Sequence, residues 1–161
     1  MKEVYTNLFI GDDADCNVCS MNPEFSIVHA CKTCHQKALG YRGALPPTHP
    51  NCLVYENGAH LYLNMVETGP NELLPKLTHP VFKSAMGFIA REIQNKKVLV
   101  HCNYGMSRSP SLGLIYLAKT GVITKKSFEE AMNKFYELYP KYAPATGRML
   151  YLKNNWDFLV N

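Results

Sequence analysis

One stretch, residues 98–117, constrains the fold of this chain more than any other. It begins with the apolar run Val-Leu-Val-His-Cys, which is typical of a buried strand, passes through a short loop that contains Gly105, and ends in an apolar run that predicts a helix. Cys102 ends the predicted strand and Arg108 stands six positions later, so five residues separate a potential nucleophile from a potential anion ligand. This order predicts a phosphate-binding loop at the end of a strand.

The residue types in this loop suit a bound phosphate. A loop of this length can curl so that the backbone N–H groups of residues 103–108 converge on one oxyanion, and Gly105 permits the positive φ that such a curl requires. Pro110 suits the first turn of a helix, whose N-terminal dipole would add to the same point. The planar fork of Arg108 can bind two phosphoryl oxygens, which a lysine cannot do. Because helix N-termini and cations stabilise thiolates, we expect Cys102 to be a thiolate at neutral pH.

The run from His101 to Pro110 resembles the Cys-x5-Arg signature of the cysteine-dependent protein phosphatases, and most closely that of the dual-specificity branch. The resemblance implies that Cys102 attacks phosphorus in line, that Arg108 holds the equatorial oxygens, and that water then hydrolyses the phosphocysteine. It also implies that Ser109 helps the thiolate to leave and that His101 orders the loop. The residues expected to bind phosphate are Asn103, Tyr104, Gly105, Met106, Ser107 and Arg108.

A simpler interpretation is that Cys102 is an inert buried thiol at the end of a core strand, since free cysteine is among the most buried residue types. That interpretation does not explain why an arginine and a serine, Arg108 and Ser109, follow six and seven positions later. The phosphatase interpretation explains all three residues together.

The proton donor departs from the family pattern. The related enzymes supply a proton to the leaving oxygen from an Asp on a loop some thirty-odd residues before the Cys, whereas residues 62–72 contain no Asp. Glu67, which lies 102 − 67 = 35 positions before Cys102 and follows a predicted strand, is the first candidate, and Glu72 is the second. The alternative is that Glu67 is an ordinary solvated loop carboxylate. The departure bears on the efficiency of turnover more than on its chemistry.

The rest of the chain predicts strands that alternate with helices. Apolar and β-branched patterns predict strands, and apolar residues at three- and four-residue steps predict helices. The predicted strands cover residues 3–10, 25–30, 60–66 and 98–102. One predicted helix has apolar positions from 82 to 93 and ends near residues 95–97, and the others cover residues 110–119, 128–138 and 147–158. Residues 37–57 are rich in Gly and Pro and are predicted to be mostly loop.

This alternation predicts an α/β fold with a central, largely parallel sheet flanked by helices, and the resemblance implies the same fold. The phosphate-binding loop would then lie at the carboxyl end of a central strand, where such folds bind ligands. We expect residues 1–161 to form a single catalytic domain, because this length fits one core.

Composition narrows the setting in which the chain works. Apolar residues make up 47% of the chain and charged residues 19%, as in soluble globular proteins. The sequence contains no run of about eighteen apolar residues and no apolar signal run, so we expect a cytoplasmic protein with reduced cysteines and no membrane partner. The net charge of +4 suits phosphorylated substrates and is too small to indicate nucleic acid.

Two pairs of cysteines raise the question of a metal. Cys16-x-x-Cys19 and Cys31-x-x-Cys34 together could hold zinc. However, Cys31 is predicted to end a buried strand, whereas Cys16 and Cys19 lie in a polar loop. The default expectation is therefore reduced cysteines, with no metal and no cofactor.

The sequence predicts a metal-independent phosphatase that acts on phosphotyrosine in phosphorylated proteins, with phosphoserine and phosphothreonine as further substrates. Because the Asp is absent, a phosphate-binding module that recognises phosphorylated partners without turnover is an alternative. Two other hypotheses stay open: a phosphatase that acts on RNA 5′ ends or phosphoinositides, and a zinc-dependent interaction protein. The sequence does not predict the oligomeric state.

Overall fold

A computed structural model describes residues 1–67, 69, 71 and 73–161, and it confirms the predicted α/β fold. The strands are β1 (Lys2–Tyr5), β2 (Leu8–Gly11), β3 (Phe25–His29), β4 (Val54–Asn57), β5 (His60–Leu63) and β6 (Lys97–His101). The helices are α1 (Asp13–Cys19), α2 (Lys32–Leu39), α3 (Pro75–Glu92), α4 (Arg108–Lys119), α5 (Phe128–Leu138), α6 (Thr146–Asn154) and α7 (Trp156–Val160).

The strands form one six-stranded sheet in the order β1-β2-β6-β3-β5-β4. The four inner strands are parallel to one another, and the edge strands β1 and β4 pair antiparallel with their neighbours. Parallel strands are usually covered on both faces and are therefore rich in apolar residues. The Val98-Leu99-Val100 run of β6 fits this rule, because none of its three side chains is exposed.

The register of the sheet determines what lies beside the end of β6. His101, the last residue of β6, is paired with Gly11 of β2 on one side and with His29 of β3 on the other. Because the three strands are parallel, their carboxyl ends meet at the same edge of the sheet. Cys102 is the next residue, so the predicted loop begins at the centre of that edge.

Helices cover both faces of the sheet. Val98 and Val100 pack into the main core, which includes apolar residues of α3 and α4, whereas Leu99 faces the other way and packs with Cys19 of α1. Helix α4 is buried from Arg108 to Ala118. The buried helix therefore fixes the far end of the loop as firmly as β6 fixes its start. Within the described residues, no helix is long and apolar enough to cross a membrane.

Several sequence-based boundaries are wrong. Residues 3–10 form a hairpin of β1 and β2 rather than one strand, with Asn7 at φ 63° in the turn. Part of the predicted loop 37–57 is the edge strand β4. The predicted helix 147–158 is two helices, α6 and α7, that meet at Asn155. The predicted strand 60–66 ends at Leu63.

Two helices, α1 and α2, were not predicted from the sequence. Both are short and follow a strand directly, and neither shows a clear apolar periodicity. Helix α1 begins with a capping box, in which the Asp12 carboxylate accepts from the backbone N–H of Asp15 and the Asp15 carboxylate accepts from that of Asp12. These helices bring Cys16 and Cys34 to the carboxyl edge of the sheet, beside the predicted loop.

Candidate active site

The predicted nucleophile lies at the base of a small pocket. Cys102 is 2% exposed, and its backbone N–H donates to the carbonyl oxygen of Gly11 at 3.4 Å. The Ser109 hydroxyl lies 3.2 Å from Cys102 Sγ and 3.2 Å from the same carbonyl oxygen. A hydroxyl has one hydrogen, and a thiolate is a strong acceptor for it. The geometry therefore lets Ser109 stabilise negative charge on Cys102.

The loop from Cys102 to Arg108 is held in its curled form from outside. Gly105 has φ 65°, and a Cβ atom at this position would lie 2.9 Å from the carbonyl oxygen of Gly11, so the position requires glycine. The Tyr139 hydroxyl donates to the carbonyl oxygen of Gly105 at 2.8 Å, and burial raises the pKa of Tyr139 to about 12, which keeps it a donor. The backbone N–H of Ala143 donates to the carbonyl oxygen of Met106 at 2.7 Å.

These contacts use carbonyl groups of the loop and leave its N–H groups for a ligand. The backbone N–H groups of residues 104–107 donate to no other group among the residues that the structure describes. Successive N–H groups of this kind form an anion-binding concavity. The N-terminus of α4, which begins at Arg108, lies at the same place. The loop therefore has the donors that a phosphoryl group needs.

Arg108 is held from three directions. Its Nη1 donates to the carbonyl oxygen of Met65 at 3.3 Å, and its Nη2 donates to Asn103 Oδ1 at 2.7 Å. Its Nε lies 3.4 Å from Glu67 Oε2, which is an electrostatic contact without hydrogen-bond geometry. The amide nitrogen of Asn103 in turn donates to Asp13 Oδ2 at 2.9 Å. The guanidinium is thus oriented before any ligand arrives.

Glu67, the first candidate for the proton donor, lies in the wall of the pocket and accepts from several groups. Its Oε1 accepts from the Ser107 hydroxyl at 3.0 Å and from Arg148 Nε at 3.4 Å. Arg148 is 1% exposed and also donates through Nη2 to the carbonyl oxygen of Val66 at 2.9 Å. Burial lowers the pKa of Arg148, and the Glu67 carboxylate opposes that shift. Glu67 is therefore held by Ser107 and Arg148 and lies against the Arg108 guanidinium.

Arg148 was not predicted from the sequence as a site residue. The only signal for it was an arginine within the otherwise uncharged run Thr-Gly-Arg-Met-Leu-Tyr-Leu of α6. Glu72, the second candidate for the proton donor, lies outside the described residues.

The pocket above Cys102 has a volume of about 190 Å³. Its lining includes Glu67, Cys102, Tyr104, Met106, Arg108 and Ala143. The Tyr104 side chain is 75% exposed and that of Met106 is 41% exposed. The two apolar side chains therefore stand at the mouth, whereas the polar groups lie at the base.

His101 faces away from this pocket. Its ring is fully buried, and its Nε2 lies 2.8 Å from His29 Nδ1. Burial lowers the pKa of His101. Burial also lowers the pKa of His29, to about 2, and the nearby His101 and His60 rings contribute to this shift. Both buried rings are therefore neutral. The proposed ordering role of His101 stays a prediction.

The four cysteines of the two sequence pairs do not come together as a set. Cys16, Cys31 and Cys34 lie near His101, whereas the Cys19 thiol lies about one turn further along α1 and contacts Met1 Sδ at 3.8 Å. All four are free thiols.

Comparisons with known proteins agree with this geometry. A family model described as "Dual specificity phosphatase, catalytic domain" matches residues 50–155. The chain is 29% identical over 142 residues to dual specificity protein phosphatase 1B of Arabidopsis thaliana, a match that spans 87% of this chain and 74% of the relative.

Solved structures show the same fold. A leucine rich repeat and phosphatase domain containing protein from Entamoeba histolytica superposes with a TM-score of 0.66 at 21% identity, covering 98% of this chain and 91% of that one. The human tyrosine phosphatase-like serine/threonine/tyrosine-interacting protein superposes with a TM-score of 0.66 at 19% identity, covering 100% of this chain and 98% of that one.

Proposed function

The chain belongs to the dual-specificity phosphatase catalytic-domain family, and from this premise we propose that it hydrolyses phosphotyrosine monoesters through a phosphocysteine intermediate. The observation that carries the proposal is that Cys102 and Arg108 line one pocket, with the Ser109 hydroxyl 3.2 Å from Cys102 Sγ. The loop N–H groups of residues 104–107 donate to none of the described residues. A phosphoryl group bound there would meet a nucleophile at one end and cationic and N–H donors around its oxygens.

The reaction has two steps in this proposal. In the first, the Cys102 thiolate attacks phosphorus, the S–P bond forms, and the P–O bond to the leaving group breaks. In the second, water attacks phosphorus and the S–P bond breaks, which releases inorganic phosphate and returns the thiolate. Arg108 and the loop N–H groups hold the equatorial oxygens in both steps. No metal ion takes part in this chemistry.

The second step gives Ser109 its role. Negative charge returns to Cys102 Sγ as the S–P bond breaks, and the Ser109 hydroxyl, 3.2 Å away, can stabilise it. We expect Ser109→Ala to slow breakdown of the intermediate by about 10- to 100-fold while phosphorylation of Cys102 stays fast. Stopped-flow measurement with para-nitrophenyl phosphate would show this as a burst of nitrophenol, absent from the unsubstituted protein, followed by a slow steady state. Equal slowing of both phases would contradict the role.

The dimensions of the pocket bear on the substrate. Its volume of about 190 Å³ is smaller than that of most small-molecule sites, so it would hold the phosphoryl group and little more. A phosphotyrosine ring would then lie at the mouth against Tyr104 and Met106. Since the pocket does not enclose the ring, phosphoserine and phosphothreonine would reach Cys102 as well. Rates of phosphate release from a panel of phosphopeptides, a 5′-triphosphate RNA and phosphoinositides would show which of these substrates the chain prefers.

Glu67 has contacts that suit a positioning residue more closely than a proton donor. Its carboxylate contacts Arg108, Arg148 and the Ser107 hydroxyl, and these link α6 to the loop. We expect Glu67→Gln to lower kcat/KM by about tenfold for every leaving group, because the substitution weakens the hold on Arg108. Hydrolysis of a series of aryl phosphates with leaving groups of differing basicity measures this. A loss that grows with leaving-group basicity would instead identify Glu67 as the general acid.

A binding module without turnover is the second candidate function. This function is favoured by the absence of Asp from residues 62–72. It is also favoured by the contacts of Glu67 with Ser107, Arg148 and Arg108, because these suit a positioning residue more closely than a proton donor. Such a module would bind vanadate or a phosphopeptide stoichiometrically and release no phosphate. Measurement of phosphate release and of peptide binding on the same sample separates the two candidates.

A further inference from the structure

Behind the phosphate-binding loop, three thiols and two imidazoles converge, and they are here called the Cys/His cluster. It consists of Cys16 of α1, His29 of β3, Cys31 and Cys34 at the start of α2, and His101 of β6. Two groups of three donor atoms, Cys16–His29–His101 and Cys31–Cys34–His101, each lie within 4.8 Å of one another and share His101. Four separate elements therefore deliver nitrogen and sulfur atoms to one place.

We propose that the Cys/His cluster binds one zinc ion through Cys16 Sγ, His29 Nδ1, Cys34 Sγ and His101 Nε2. Zinc in structural sites is tetrahedral, with bonds of about 2.3 Å to sulfur and about 2.0–2.1 Å to nitrogen. These bond lengths place neighbouring sulfur and nitrogen ligands about 3.6 Å apart and two nitrogen ligands about 3.3 Å apart.

Two of the observed distances lie close to these values. Cys16 Sγ is 3.6 Å from His29 Nδ1, and Cys34 Sγ is 3.9 Å from His101 Nε2. The two imidazole nitrogens are 2.8 Å apart, so they would separate by about half an ångström to admit the ion. Cys34 is assigned in preference to Cys31 because its Sγ contacts His101 Nε2 and because it lines the same cleft as Cys16. Side chains already aimed at one another need little rearrangement to bind a metal.

Charge also favours this set of ligands. Cys16, His29 and His101 are buried, and uncompensated charge is costly in such a place. Two thiolates balance the charge of Zn²⁺, and two neutral imidazoles add none. The four ligands and the ion are therefore neutral together, which is the arrangement that a buried site requires.

The outer ring nitrogens of both histidines face suitable partners. Metal-bound histidines usually donate their second N–H to a carboxylate or another acceptor. His29 Nε2 lies 3.0 Å from His60 Nδ1, and His101 Nδ1 lies 3.5 Å from Asp13 Oδ1. His101 Nδ1 is buried and makes no hydrogen bond to the described residues. A metal on Nε2 would place a proton on Nδ1 and turn this nitrogen toward the carboxylate as a donor.

An ion can reach the cluster from solvent. A cleft of about 600 Å³ is lined by Cys16 and Cys34 together with Asp13, Thr33 and Asn103. The cleft thus lies beside the thiols and next to the residue, Asn103, that orients Arg108. Bound zinc would tie α1, β3, α2 and β6 together at the start of the loop. Its role in the proposal is structural, and the phosphoryl chemistry at Cys102 is separate from it.

The test is zinc binding by the full chain under reducing conditions. Protein stripped with a chelator is titrated with Zn²⁺ in competition with a chromogenic chelator, and Co²⁺ is then used as a spectroscopic probe. We expect one ion per chain, with the visible bands of a tetrahedral cobalt site and the charge-transfer bands of thiolate ligands. Loss of a group that only hydrogen-bonds to a metal ligand weakens metal binding by about 10- to 100-fold. Loss of a ligand itself, in Cys16→Ser or Cys34→Ser, should therefore weaken Zn²⁺ binding by at least about 100-fold.

Two control variants match these substitutions. Cys19→Ser changes a buried thiol of the same helix as Cys16, and Cys52→Ser changes a partly exposed thiol that contacts the carbonyl oxygen of Pro47. Both lie outside the cluster, so both should bind zinc like the unsubstituted protein. Zinc should also raise the Tm of the unsubstituted chain and leave that of the Cys16→Ser, Cys34→Ser double variant unchanged.

Three results would overturn the proposal. The first is a reduced, unsubstituted chain that binds no zinc. The second is a double variant that still binds one ion per chain and melts cooperatively. The third is a loss of binding on Cys31→Ser with none on Cys34→Ser, which would exclude Cys34 as the fourth ligand. Zinc binding is measured without turnover, so its outcome does not depend on whether the phosphatase proposal is correct.

Discussion

Cys102→Ser is expected to abolish phosphate release from para-nitrophenyl phosphate and from a phosphotyrosine peptide, with a loss on the order of 10⁶-fold, as for nucleophiles in other covalent enzymes. A serine hydroxyl at the same position is not ionised at neutral pH, and the described residues around Cys102 offer it no general base, so the S–P bond of the first step has no counterpart. The loop N–H groups and Arg108 do not depend on the thiol, so vanadate and phosphopeptide binding should persist. Phosphate release and isothermal titration on one sample measure both properties.

Two controls complete this experiment: activity is measured with a metal chelator present, and a matched cysteine variant is tested beside Cys102→Ser. Cys52→Ser changes a cysteine remote from the pocket and should retain full activity. Hydrolysis that survives in Cys102→Ser would contradict the nucleophile assignment. Equally weak activity in the unsubstituted chain and in Cys102→Ser, with intact vanadate binding, would favour the binding module.

The sequence predicted the strand, loop and helix around Cys102 well because their geometry is local. Cys102 and Arg108 are joined by five residues, and the strand before them and the helix after them fix where each begins and ends. The pattern of apolar residues was sufficient to place both elements, since β6 and α4 are almost entirely buried. The prediction needed no knowledge of which strands are neighbours.

The Cys/His cluster and the Glu67–Arg148 pair could not be predicted in the same way. His29 and His101 are 72 positions apart, and they meet because β3 and β6 are parallel neighbours whose ends are in register. Glu67 and Arg148 are 81 positions apart, and they meet because α6 packs beside the loop. The CxxC spacing suggested a metal set that includes Cys19, but Cys19 lies about one helical turn beyond Cys16 in α1 and packs with Leu99 and Met1 instead. Contacts of this kind depend on strand order and helix packing, which local patterns do not determine.

Arg108→Lys is expected to lower kcat/KM by about 10²- to 10³-fold and to weaken vanadate binding to a similar extent, although the positive charge is kept. The guanidinium is oriented by Met65, Asn103 and Glu67, each of which meets a different nitrogen, and a lysine ammonium cannot make these three contacts from one point. The substitution would therefore leave a cation in the pocket without the planar fork that binds two phosphoryl oxygens.

Kinetics and vanadate titration of the Arg108→Lys variant, with Arg91→Lys as the matched control, measure this effect. Arg91 forms an ion pair with Glu92 at 3.0 Å on the exposed part of α3, and its replacement should change neither quantity. If Arg108→Lys retained more than about a tenth of the activity, charge alone would be sufficient at this position. The oriented fork would then have no role in binding the transition state, and the Asn103 and Glu67 contacts to Arg108 would serve only to stabilise the loop.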